Sequence, residues 1–143
     1  MDVHPVSRTA ARTTSSGLTF SEEGLPQDAL LWGYIDGDEA AMVQFEYPDD
    51  DVKWEERFID IFEIRVHDEY RGQGLAVQMI DEVIRRHPAP KLNLDQGTVA
   101  AMAVMDAWFR FRGLVPDWVQ SGVGVMYRLA AHAAGACSGS RNA

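Results

Sequence analysis

A chain of 143 residues with 46% hydrophobic content has enough apolar material for one domain with a real core and too little length for two of ordinary size. A formal net charge of −9 argues against a nucleic-acid partner, which would need clustered Lys and Arg, and no apolar run approaches the roughly 20 residues that span a bilayer. With no hydrophobic signal core at the start, the expected location is the cytoplasm. Cys137 is the single cysteine and cannot form an internal disulfide, and His4, His67, His87 and His132 lack the spacing of a metal site.

Residues 1–28 are rich in Ser, Thr, Arg and Gly and poor in periodic apolar positions, which predicts a flexible arm with at most a short strand at Gly17 to Phe20. A domain is expected over residues 29–130. Leu30 to Ile35 and Ala40 to Tyr47 read as two strands around Asp36-Gly37-Asp38, and Asp-Gly between such runs is a hairpin signal. A polar loop begins at Pro48-Asp49-Asp50-Asp51 and leads to a strand from Phe58 to Val66, dense in Ile, Phe and Val. From Asp36 to Glu69 thirteen acidic residues stand against Lys53, Arg57 and Arg65. The segment reads as a solvated acidic face or as one that attracts a cationic partner.

Ala76, Met79, Ile80, Val83 and Ile84 then recur at i, i+3, i+4, i+7 and i+8, one apolar face of a helix. Pro88 and Pro90 stop it, and Lys91 to Asp95 reads as a short strand, parallel to the one before the helix. A second helix follows, with Thr98 as N-cap, Ala101, Val104, Met105, Trp108 and Phe109 on its core face and Gly113 at its end. Val123, Val125, Tyr127 and Leu129 alternate in a last strand, and residues 131–143 read as a disordered tail. The fold class is α/β in the broad sense (α+β): a mixed central sheet of antiparallel hairpin strands followed by β-α-β-α-β.

Between the strand ending at Val66 and the first helix sit Gly72 and Gly74. A helix that starts directly from a glycine loop presents unpaired N–H groups and the positive end of its dipole, which together bind phosphate. A P-loop requires Gly-Lys-Ser/Thr, but Gly74 is followed by Leu75-Ala76. The dinucleotide fingerprint requires a third glycine where Val77 stands. What remains is Arg71-Gly72-Gln73-Gly74-Leu75-Ala76, an Arg-x-x-Gly-x-Ala pattern directly after a strand. It resembles the acetyl-CoA signature of the GCN5-related N-acetyltransferase (GNAT) family, and the resemblance covers about Leu30 to Leu129.

The resemblance implies a site. Gln73, Gly74, Leu75 and Ala76 would lend backbone amides to the pyrophosphate of CoA, with Arg71 and Gly72 leading into that cradle. Ile64, Arg65 and Val66 at the strand end would pair with the pantetheine arm. The strand Lys91 to Asp95 would lie opposite Glu63 to Val66 and splay away to admit the thioester. An amine acceptor must lose a proton before it attacks, and Asp95 or Glu63 is the expected carboxylate, each equally readable as a structural acid.

Two departures from the family stand out. Where many members carry a tyrosine on the late helix to protonate the leaving thiolate, this chain has Phe109, and Tyr127 or water is the expected substitute. The usual first strand and two helices, which wall one side of the acceptor site, have almost no counterpart in Met1 to Asp28. The acceptor site is therefore expected to be open or completed by a second copy in a homodimer. The implied activity is transfer of an acetyl group from acetyl-CoA to a primary amine of a cationic small molecule or basic peptide. The alternative is a CoA-binding or interaction module that kept the fold and lost transfer.

Overall fold

The computed structural model describes residues 17–122 and 124–129. Seven strands form one sheet: β1 (Leu18–Leu25), β2 (Asp28–Ile35), β3 (Asp38–Glu46), β4 (Phe58–Val66), β5 (Lys91–Leu94), β6 (Trp118–Ser121) and β7 (Gly124–Arg128). Two helices, α1 (Leu75–Arg86) and α2 (Val99–Phe111), complete it. The strand order is β1-β2-β3-β4-β5-β7-β6. Only β4 and β5 are parallel, as the intervening helix requires.

The elements follow from local chemistry. Asp36 and Gly37 both have positive φ, 53° and 84°, the geometry of a type I′ turn that joins β2 to β3. Thr98 caps α2, its Oγ1 accepting from the Ala101 N–H at 3.1 Å. Pro88 and Pro90 follow α1, and Pro90 O receives the Leu129 N–H at 2.7 Å.

Cross-strand partners share a face of the sheet. Gly33 marks one face, because a Cβ there would collide with the side chains of Met79 on α1 and Leu18. Tyr127, level with Leu92 on β5, packs on Phe109 of α2 with ring centroids 5.8 Å apart. Both helices therefore lie on that one face, and the buried core fills the space beneath them. On the other face Trp32 stands opposite Met42, Met42 opposite Arg65, Gln44 opposite Glu63, and Glu46 opposite Asp60. No helix among the described residues covers it.

Three expectations are corrected. Residues 18–28 are not part of an arm: β1 and the start of β2 lie within the sheet, joined by a turn at Pro26-Gln27 with no helix between them. The usual first strand is thus present, and among the described residues the two helices after it are absent. The strand β6 was hidden because its side chains are mostly exposed and show no alternation. The rest of the expected arm, residues 1–16, the expected tail, residues 131–143, and Val123 of the expected last strand lie outside the described residues.

Register is the third correction. Lys91 to Leu94 pair with Phe58 to Ile61, and not with Glu63 to Val66. The final bond runs from the Asp95 N–H to Ile61 O at 2.9 Å. At this point the register with β3 also slips, Gln44 facing Glu63 while Phe45 faces Ile61, which leaves Phe62 as a bulge. A bulge bends a strand and increases its twist. The split between β4 and β5 therefore begins at a bend built into β4.

Candidate active site

Beyond Ile61, β4 has β3 on one side and, among the described residues, no strand on the other. A cleft of about 540 Å³ occupies that side. Its walls are Ile61 to Ile64 and Val66 of β4, the loop at Tyr70 to Gly72, the start of α1 from Gly74 to Val77, and Leu94, Gln96, Thr98, Ala100, Ala101 and Val104 from the β5–α2 segment.

The loop end of the cleft is built by backbone. Gly74 is the N-cap residue of α1, with φ 75°, and no side chain caps the helix. Left-handed backbone is open to glycine and strained for most other residues. A Cβ on Gly72 or Gly74 would meet nothing within 4 Å, so the loop stands clear of other protein atoms. The first N–H groups of α1 and its positive dipole end face this opening. Arg71 is held against the loop, its Nε donating to Val66 O at 3.3 Å and lying 3.3 Å from Asp68.

Most of the residues expected to hold the cofactor converge here. Ile64, Val66, Arg71, Gly72, Gly74, Leu75 and Ala76 all border the cleft. Arg65 does not, because alternation turns it to the bare face, where its guanidinium holds Glu63 at 2.9 Å. Gln73 is exposed on the loop and outside the lining.

The three expected catalytic side chains fall in three places. Glu63 borders the cleft and is about 43% exposed, so it reaches both solvent and the open side of β4. Asp95 is half-buried and outside the lining. It is close enough to Asp60 for its charge to help raise that carboxyl above the usual range, an effect led by burial and opposed by the Asn93 hydrogen bond. Tyr127 is fully buried beneath α2. Its hydroxyl has no hydrogen-bond partner among the described residues, and burial pushes the phenol up to about 12. A proton donor sealed in this way is out of reach of a thiolate in the cleft. Phe109 is equally buried and packs on Tyr127.

Ile61, Phe62, Tyr70, Val77, Leu94, Gln96, Thr98, Ala100, Ala101 and Val104 also line the cleft and were not expected there from the sequence. A signal existed for two of them: Ala100 and Ala101 put small side chains on the first turn of α2, which leaves room between that helix and β4.

These features coincide with a match of residues 5–104 to the acetyltransferase (GNAT) family. The chain belongs to that family, whose members draw an acyl group from acyl-CoA. Comparison with curated proteins found no match. Among solved structures it resembles the histone acetyltransferase HPA2 and related acetyltransferase from Corynebacterium glutamicum, at 13% identity and TM-score 0.50, covering 73% of this chain and 66% of that one. A GNAT acetyltransferase from Streptococcus agalactiae matches at 18% identity and TM-score 0.50, over 71% and 64%. The Escherichia coli N-acetyltransferase YhbS, solved with CoA, matches at 20% identity and TM-score 0.47, over 75% and 62%. The chain thus spans somewhat less than two thirds of the length of these structures.

Proposed function

We propose that this chain transfers an acetyl group from acetyl-CoA to the primary amine of a cationic acceptor, in a cytoplasmic setting. One observation carries the reading: an uncapped helix start under a glycine loop opens onto a cleft beside the half of β4 that lacks a second strand neighbour. The N–H groups from Gly74 to Val77 suit a pyrophosphate. Along an extended strand, alternate residues turn their N–H and C=O to the same side, so the edge of β4 at Ile64 and the Val66 N–H suits the amides of a pantetheine arm, the Val66 carbonyl being held by Arg71. Acetyl-CoA supplies an activated thioester.

The chain's own residues must then orient the amine and take its proton. Glu63 is the base in this reading, acting directly or through one water. Asp95 and Asp60, whose backbones pair with neighbouring strands at the edge of the split, attract the cationic acceptor rather than accept its proton. Water protonates the departing thiolate, since Tyr127 is sealed and Phe109 has no proton to give.

Thiol release with acetyl-CoA and a panel of amines tests this directly. Glu63→Gln lowers kcat about a hundredfold at neutral pH and leaves the Kd of acetyl-CoA within about twofold. Wild-type binding of acetyl-CoA with no thiol release across the panel would instead favour a CoA-binding module that has lost transfer.

A further inference from the structure

The face of the sheet that no described helix covers runs into the cleft. Glu63 belongs to both: it borders the cleft and stands opposite Gln44 on the bare face. Trp32 and Tyr34 lie half-buried on this face, and Glu46 and Asp60 face each other across its β3–β4 pair. No helix stands between β1 and β2 to enclose an acceptor here, because the two strands join through Pro26-Gln27.

We propose that the acceptor is a basic polypeptide that lies across this bare face and delivers an amine to the cleft, a proposal that rests on the acetyl-transfer reading above. A small ligand draws its affinity from a concave site that buries most of its surface. On an open face a lone cation keeps its water, and an exposed ion pair contributes about 0–1 kcal/mol. A polypeptide gathers many such contacts at once and buries Trp32 and Tyr34 as aromatic anchors. Charge selects its sign. By register this face carries Glu23, Glu46, Asp60 and Glu63 against Arg65, Lys91 and Arg128, and in a chain of net charge −9 that acidic excess attracts Lys and Arg and disfavours a second copy.

The test uses the full chain, acetyl-CoA and four acceptors: a peptide of about fifteen residues with a central Lys flanked by Arg and Leu, its Glu-flanked counterpart, lysine amide and spermidine. At roughly 3.3 Å per residue such a peptide crosses the roughly 30 Å width of seven strands. The expected kcat/KM for the Arg-flanked peptide exceeds that of the other three at least about tenfold, and the margin shrinks with added salt. Trp32→Ala and the exposed Glu46→Gln each raise the peptide KM about fivefold while kcat and the KM of acetyl-CoA hold. Equal efficiency with spermidine or lysine amide overturns the proposal, as does equal efficiency with the Glu-flanked peptide. So does a dimer in sedimentation that Trp32→Ala dissociates, which would mean that a second copy covers the face. Calorimetry with the Arg-flanked peptide alone separates the two readings: peptide binding without any acetyl-CoA binding would sink acetyl transfer and leave the docking face standing.

Discussion

Helix α1 ends in two different ways, and the difference explains where ligand chemistry is placed. At its C-terminal end the polar groups are satisfied by protein. Glu82, fully buried, receives Arg85 and Arg86 at 2.8 Å each. Arg86 and His87 reach the buried Glu22 of β1 at 3.5 and 2.9 Å, and His87 stacks on Tyr47 at 3.7 Å. At its N-terminal end there is a glycine and no side-chain cap. One end ties the helix to the edge strand β1, and this holds the other end in place with its N–H groups exposed to the cleft.

Breaking the tied end has the largest effect. Glu82→Ala leaves two guanidinium groups beside a vacated buried position and costs about 3–5 kcal/mol of stability, measurable by urea unfolding. Where the variant is still folded, its acetyl-CoA affinity stays near the wild-type value. Breaking the open end does the reverse. Gly74→Ala forces a Cβ into left-handed backbone, a strain of about 1–2 kcal/mol, and raises the Kd of acetyl-CoA about tenfold as the loop shifts to relieve it. Gly74→Asn, whose side chain tolerates that region, loses less. A loss of affinity in Glu82→Ala equal to that in Gly74→Ala would erase the distinction between the two ends.

The start of α2 sharpens the contrast, since Thr98 already caps it. Thr98→Ala costs about 1 kcal/mol of stability in the same unfolding assay. Tyr127 tests the core beneath α2. Its phenol is raised from 10.0 to about 12, by burial first and the charge of Asp106 second. A raised folded value favours the protonated form in the native state. Its contribution is therefore whole below pH 10 and is lost as pH rises towards about 12. Tyr127→Phe flattens that alkaline loss, removes an unpartnered buried hydroxyl for a gain of up to about 1 kcal/mol at neutral pH, and leaves turnover unchanged.

Local pattern made much of this fold readable. The Asp36-Gly37 turn, the strand Phe58–Val66, the apolar face of α1 and the Thr98 cap each depend on residues adjacent in sequence. Strand β1 was unreadable because Glu22 sits on its buried side, where alternation calls for an apolar residue. The partners that make this tolerable, Arg86 and His87, come from a helix some sixty residues further on. The register of β5 was also hidden. It depends on where the bulge at Phe62 bends β4, and a bulge arises from pairing with β3 rather than from any residue type. The same limit applied to the site. The glycine turn that opens α1 was legible in Arg71 to Ala76, whereas the positions of Glu63, Asp95 and Tyr127 depended on which way three strands turned their side chains.

The central claim is that the bare end of α1 is the acetyl-CoA site. Calorimetric titration of acetyl-CoA into the full chain and into Gly74→Ala at low salt tests it most directly. The account predicts one site per chain in the wild type, weakened about tenfold by the added methyl group. No measurable binding in the wild type, or equal affinity in both proteins, would contradict it.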